Sequence, residues 1–367
     1  MLTQPTPSPS PAPRPARAPD HYLSLLLAAG VLVMFGGALI NRTLDLGRGQ
    51  PAWLEAFASY FLAICLEAVP FILLGALVTA VLEVWLPAET LPRLTARLGV
   101  WGVPAVALLS PLFPVCECGV VMVARGLMRK GLPLPHAVTY LLAAPIVNPT
   151  VLAATYIAYQ DIEHPLWRGL GGFMVAVAVG WAVLAIKPRQ ALAAGLDPAP
   201  APAPAATPPG FQSLDSLAAP AAPACGCGHD HPPAEGVFGR VAGHLADDFA
   251  EMMPYFLAGV FLASGIKTFL SGEVLAALGG HALTGPIAMM VLAAVLSLCS
   301  EADAFVAASF TEFGFTSHIA FLVLGPMFDL KLMLAYRLIF RSRFILLLSG
   351  LIWLGVALFT AGLGWLK

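Results

Sequence analysis

An all-α, polytopic membrane protein, built as two inverted structural repeats with broken or re-entrant helices, is the fold this sequence predicts. Three observations predict it. Of 367 residues, 59% are hydrophobic and only 11% are charged, at a mean hydropathy of +0.82; a soluble chain carries about 25% charged residues. Apolar runs of about 20 residues, long enough to cross hydrocarbon, recur from one end of the chain to the other. And residue types that are rare inside membranes recur at a nearly constant spacing between the two halves.

Residues 1–20 are polar and Pro-rich, the composition of a disordered tail. The run from Tyr22 to Ile40 is longer than the apolar core of a signal peptide and has no A-x-A-like site after it, so it reads as an uncleaved first span. Further apolar segments fall at 53–86, 100–128, 134–159, 166–187, 247–270, 283–311, 318–340 and 343–366. They are too long and too continuously apolar for barrel strands. Lipid offers backbone groups no water, so the segments must be helices. Residues 188–240 interrupt the pattern with a Pro/Ala linker, DPAPAPAPAATPPG, which is extended and cannot pack a core. The linker separates 21–187, the first span plus repeat 1, from 241–367, repeat 2.

The repeat rests on particular residues. Glu67, Pro70 and Gly75 recur as Glu251, Pro254 and Gly259 at an offset of 184; Cys116 and Cys299, and Gly131 and Gly314, stand 183 apart; Pro145-x-x-Asn148 and Pro326-x-x-Asp329 stand 181 apart. Internal duplication of this kind is typical of secondary transporters. Charge suggests that the copies face opposite ways, because cytoplasmic loops are rich in Lys and Arg. Arg93, Arg97, Arg125, Arg129 and Lys130 flank the third apolar segment, whereas the matching region 271–317 has neither Lys nor Arg and carries Glu273, Glu301, Asp303 and Glu312. At the far end of the next helix the bias reverses, Asp161 and Glu163 standing opposite Arg337, Arg341 and Arg343. Inversion needs an odd number of crossings, and each unit has four apolar segments. The segment broken by Pro111, Pro114 and Gly119 therefore reads as a re-entrant hairpin, with 283–311 as its counterpart; nine plain spanning helices are the alternative.

Chemistry concentrates at the breaks. Cys116-Glu117-Cys118-Gly119 follows two prolines, and broken backbone at membrane depth is tolerated only where protein or a wet cavity surrounds it. Two thiols at i, i+2 cannot share a helix face but can share one side of an unwound segment. Thiolates suit Cu(I), Zn(II) and trivalent arsenic, whereas a lone thiol such as Cys65 reads as a small apolar residue. Cys299-Ser300-Glu301-Ala302-Asp303 is the second copy's counterpart, so Cys116, Cys118, Cys299, Glu117 and Glu301 make one candidate site. Intramembrane carboxylates cost roughly 2.5–3.5 kcal/mol each and mark pathways or proton relays, although Glu301 and Asp303 also suit a wet vestibule. Glu67 and Glu251, each three residues before a proline, are candidates for proton coupling or for bonding groups freed at the kink. Asn148 and Asp329 could complete a coordination shell or join helices by hydrogen bonds.

In the linker, Cys225, Cys227, His229 and His231 alternate along an extended chain and could gather one soft ion. The cluster is too compact for a structural zinc site, and a labile capture site fits it better. No phosphate-cradling G-x-x-x-x-G-K-[ST] loop is present, so ATP-driven transport is not expected within this chain. Nor does a net charge of -2 point to nucleic acid. Neither catalysis nor a bound cofactor is expected; the metal ion is cargo, and the lipid bilayer is the partner.

The run PLFPVCECGVVMVARGLMRKGLPLPHAVTYLLAAPIVNPTVLAATYIAY resembles the signature of the ArsP-type predicted permeases, matching at Cys116, Cys118, Gly119, Arg129, Lys130, Gly131, Pro145 and Asn148. The resemblance covers roughly 53–187 and 240–366. It implies efflux: the family includes exporters of trivalent organoarsenicals and a branch, with a Cys/His-bearing central loop, regarded as copper/zinc transporters. Glu117 departs from the small polar residue typical between the cysteines and favours a cationic cargo. The expectation is a multi-pass inner-membrane permease, with N-terminus and linker cytoplasmic, that exports copper or zinc. The alternatives are organoarsenical efflux and a membrane thiol–disulfide oxidoreductase using Cys116 and Cys299.

Overall fold

The structure is a computed structural model that describes residues 52–85, 90–112, 115–186, 188–193, 237–269 and 285–366. The expected span at 22–40 and the Cys225–His231 cluster lie outside the described residues. The described chain is helical: α1 Ala52–Trp85, α2 Thr90–Leu98, α3 Gly102–Leu109, α4 Glu117–Arg129, α5 Leu134–Ala143, α6 Pro149–Tyr159, α7 Glu163–Val183, α8 Pro188–Ala191, α9 Val237–Phe269, α10 Gly285–Leu296, α11 Asp303–Ser309, α12 Phe315–Met327, α13 Leu330–Ala335 and α14 Ser342–Leu366. Among the described residues, five stretches are long and apolar enough to cross a membrane: Ala52–Leu82, Glu163–Val183, Val241–Phe269, Phe315–Leu338 and Ser342–Leu366. Large apolar side chains cover the outside, with Leu66, Trp101, Leu108, Leu346 and Leu358 each more than 60% exposed. A water-soluble surface does not carry so much contiguous apolar area; a lipid-facing one does. The chain is an all-α, multi-pass membrane protein.

The interior is built largely from α4 and α12. Every residue from Glu117 to Leu127 of α4 and from Ser317 to Met327 of α12 is buried. α1 and α9 run antiparallel beside them, Trp53 stacking on Phe269 and Phe57 meeting Phe261 edge-on at 5.2 Å. α1 presses backbone to backbone on α4, so that a Cβ added at Gly75 would stand 2.7 Å from the Gly119 Cα. The repeat-related Gly259 does the same for α9 against α13, where a Cβ would stand 2.8 Å from the Lys331 Cα. Gly75 and Gly259 thus both mark close backbone crossings of helices.

Three structural contacts fix where the broken segments begin and end. Gly102, at the start of α3, sits so close to the first turn of α5 that an added Cβ would run into the His136 ring. α4 ends at Arg129 and joins α5 through the short turn Lys130–Pro133, so both arms of 102–129 leave from the same end of the bundle. Likewise Gly285, at the start of α10, faces Ser317 in the first turn of α12, and His318 Nε2 lies 3.1 Å from the carbonyl of Phe310 just after α11. Both arms of 285–309 therefore also leave together, but from the opposite end, where the rings of Tyr159, His164, Phe315 and His318 pack. Arg125, read from sequence as a flanking loop charge, instead lies inside α4 and is buried.

Candidate functional site

The two tips meet. Cys116 has an extended backbone, φ −75° and ψ 175°, and caps α4, its carbonyl accepting the Val120 amide at 3.0 Å. On the other tip α10 stops at Leu296, and Ser297 turns the chain with φ 46°. A left-handed non-glycine residue costs about 1–3 kcal/mol and persists only where its surroundings hold it. The Cys299 carbonyl then accepts the amides of Ala302 and Asp303 at 3.0 and 2.9 Å, starting α11. This brings Cys116 Sγ, a Glu117 carboxylate oxygen and Cys299 Sγ within 4.8 Å of one another, all buried. The cysteines are free thiols. Cys118 lines the same cavity, together with Glu67 from α1 and Lys267 from α9. The cavity measures about 20 Å³, room for one ion or one water.

Two buried cations that the sequence reading passed over hold this junction. Lys331 Nζ lies 3.1 Å from Glu117 Oε1, 3.3 Å from Asp329 Oδ2 and 3.0 Å from the Ser297 carbonyl, with the lysine side chain only 4% exposed. Arg168, fully buried on α7, donates to Asp303 Oδ2 at 2.8 Å, to the Ser300 carbonyl at 3.0 Å and to Thr155 Oγ1 at 2.7 Å. Glu117 Oε2 in turn accepts the Ser300 amide at 3.2 Å. The strained second tip is thus fastened at both Ser297 and Ser300 by side chains from outside its own hairpin. The signal for Lys331 was present in sequence, a basic residue well inside the apolar run 318–340, where an unpaired charge is costly; Arg168 stands near the start of its run and gave a weaker one.

The remaining predicted residues take separate places. Glu301 is half-buried and accepts the Cys299 thiol at 2.9 Å. Asn148 and Asp329 are helix caps: Asn148 Oδ1 accepts the Thr150 amide and hydroxyl, and Asp329 Oδ1 accepts the Leu332 amide. Caps of this type contribute about 1 kcal/mol. The two repeat-related Pro-x-x-polar motifs therefore restart a broken helix in each half, and neither side chain lines the cavity. Glu251 also stands apart from it, bonded bidentately to Arg125 at 2.5 and 2.6 Å, while Arg129 meets Asp248 at 3.0 Å.

A family described as predicted permease, of ArsP type, matches residues 53–363. The UPF0718 protein YcgR of Bacillus subtilis (strain 168) is 34% identical over 295 residues, spanning 79% of this chain and 90% of that protein. A putative two-component membrane permease complex subunit of Streptococcus mutans is 30% identical over 294 residues, spanning 79% and 89%. No solved structure matches.

Proposed function

The chain belongs to the family of ArsP-type predicted permeases, and on that premise we propose that it is a secondary transporter exporting a soft cation, Cu(I) or Zn(II), from the cytoplasm. The observation that carries this reading is the buried trio of Cys116 Sγ, Glu117 and Cys299 Sγ within 4.8 Å, at the meeting of two broken tips. Thiols select soft metals and metalloids over the abundant hard cations. Two thiols suit Cu(I), and the Cys118 and Glu117 groups beside them extend the set for Zn(II). A thiol that binds metal gives up its proton, and the Glu67 carboxylate on the cavity wall is placed to take it.

Hairpins entering from opposite ends support the inverted-repeat reading, in which rocking one half against the other alternates access. Exposed Arg93, Arg97, Arg337, Arg341 and Arg343 gather at the end where α1 finishes, and Asp161, Glu163 and Glu312 stand at the other. By the positive-inside rule the basic end is cytoplasmic. Leu192, just after α8 and leading into the linker, pairs with Phe340 at that end, so Cys225, Cys227, His229 and His231 would capture cargo on the cytoplasmic side.

The test is the sensitivity of a deletion strain to copper, zinc and a trivalent methylated arsenical, complemented by the full chain or by Cys116→Ser. Copper or zinc hypersensitivity rescued by the wild type alone is the expected result. Rescue confined to the arsenical would transfer the reading to organoarsenical efflux. A Cys116–Cys299 disulfide that cycles in intact membranes, with metal tolerance unchanged, would replace transport by thiol–disulfide exchange.

A further inference from the structure

α7 and α14 lie side by side and run in opposite directions. A Cβ added at Gly171 would meet the Phe359 ring, and one added at Gly355 would stand 3.1 Å from Val175. Carried on toward the basic end of the bundle, the same antiparallel register sets Ile186, just past α7, opposite Phe344 in the first turn of α14. There the two helices no longer fill the space between them. A cavity of about 640 Å³ opens, lined by Ile186, Arg341, Ser342, Arg343, Phe344 and Leu347. Sites that take small organic molecules measure about 300–1,000 Å³.

The wall of this cavity has two chemistries. Ile186, Phe344 and Leu347 are apolar and stand at the ends of two spans. Arg341 and Arg343 bring two guanidinium groups, and no carboxylate lines the cavity. Among the described residues neither arginine has an ionic partner. Arg341 is anchored by its Nε, which donates to the Leu192 carbonyl at 2.8 Å, while Arg343 is exposed. Uncompensated positive charge beside an apolar wall, at the end of two spans, complements a molecule with an anionic head and a hydrocarbon tail. A soluble anion would use the arginines and leave the apolar wall wet; an uncharged lipid would use the wall and leave the arginines unpaired.

From this complementarity we propose that the cavity binds one anionic phospholipid, with its phosphate between Arg341 and Arg343 and an acyl chain along Ile186, Phe344 and Leu347. Basic pockets between helices at the cytoplasmic face hold such headgroups, and the planar guanidinium fork matches phosphate oxygens in pairs. The site also bears on the linker. The Arg341 amide donates to the Ala191 carbonyl at 2.8 Å, and the Ala193 amide donates to the Ile339 carbonyl at 2.9 Å. A lipid that holds Arg341 therefore steadies the root of the segment that leads to the Cys225–His231 cluster. This inference is independent of which cargo the central site carries.

The experiment uses the full chain purified in dodecyl maltoside, with dioleoyl phosphatidylglycerol or dioleoyl phosphatidylcholine added and retained lipid counted by native mass spectrometry. Wild type should hold one phosphatidylglycerol more tightly than phosphatidylcholine. A basic residue beside an anionic headgroup is worth about a fivefold gain in affinity, so Arg343→Gln should weaken retention about fivefold, and Arg341→Gln together with Arg343→Gln about twenty-five-fold. Arg97→Gln, exposed at the same end but outside the cavity, should match wild type. Glycerol 3-phosphate carries the headgroup charge without a tail and should not displace the lipid. Hydrogen exchange locates the site: phosphatidylglycerol should slow exchange in peptides covering 188–193 and 341–347. Equal retention of the two lipids, arginine variants that match wild type, or slowing confined to other segments would overturn the proposal. Displacement by millimolar glycerol 3-phosphate would make this a site for soluble anions and overturn the lipid as its occupant. Should the double variant not fold, Arg343→Gln decides alone, because that side chain is exposed and holds no other element in place.

Discussion

Replacing Arg168 by glutamine tests whether the second tip is held from outside its hairpin. The guanidinium makes three bonds of 2.7–3.0 Å, to Thr155, Asp303 and the Ser300 carbonyl, with Arg168 fully buried and the Asp303 side chain only 2% exposed. Hydrogen bonds to charged groups contribute about 1.5–3 kcal/mol each when counted singly, but the three share one donor group and do not add. Removing one partner of a buried pair costs about 3–5 kcal/mol, because the other charge is left without compensation. An unfolded chain in a micelle also finds partners, so the lower end, about 3 kcal/mol, is the expected loss. Asp303→Asn should cost a similar amount. The double variant removes both charges together and should lose at least about 1 kcal/mol less than the sum of the two single losses. Unfolding by sodium dodecyl sulfate from a mild non-ionic micelle, followed by tryptophan fluorescence, measures all three. Single losses that simply add to within about 0.5 kcal/mol would show that the two residues do not act as a pair and would refute the reasoning.

Two other outcomes follow from the packing and the ion pairs. A Cβ at Gly119 would stand 2.9 Å from the Phe71 carbonyl oxygen, and backbone cannot rotate away; Gly119→Ala should cost about 1–3 kcal/mol and weaken metal protection of Cys116 against alkylation. Gly265→Ala, whose nearest neighbour is 3.9 Å away, is the control and should fall within about 0.5 kcal/mol of wild type in the same denaturation assay. Glu251→Gln leaves Arg125 without its bidentate partner and should lower stability by about 1 kcal/mol, since the Glu251 side chain is 43% exposed and its pair is partly screened. The pH profile of transport should not move in that variant, whereas it should move in Glu67→Gln, whose carboxylate lines the cavity; a shifted profile for Glu251→Gln would restore that residue to proton coupling.

Hydropathy and the constant offset made the helical class, the breaks at Cys116 and Cys299, and the special standing of Gly75 and Gly259 readable before any coordinates. They were readable because each depends on local chain chemistry: proline and glycine free backbone groups wherever they fall, and a glycine kept at a helix crossing leaves a visible gap in an apolar pattern. Partner choice was not readable. Glu67 and Glu251 each stand three residues before a proline at the same sequence offset, yet one lines the cavity and the other is bonded to Arg125. Which cation a carboxylate meets is set by side chains more than a hundred residues away, and the second copy has no basic residue where the first has Arg125. Asn148 and Asp329 show the same limit. Their recurrence was plain, but an Asx residue after a proline serves equally as cap or ligand, and only the amides of Thr150 and Leu332 decide between them.

The cross-pairing of charges has a bearing on how the chain is made. Arg168 and Glu117, from the amino-terminal half, find Asp303 and Lys331 in the carboxy-terminal half, and Arg125 and Arg129 find Glu251 and Asp248 there. While the ribosome is still making the linker, the amino-terminal half already rests in the bilayer with four ionic groups whose counterparts have yet to be translated. Until they arrive, those side chains depend on water drawn into the half-built bundle or on chaperoning by the insertion machinery. Severing the chain at the linker therefore produces two fragments that each need the other at the moment of insertion, and expressing either alone should send it to membrane quality control.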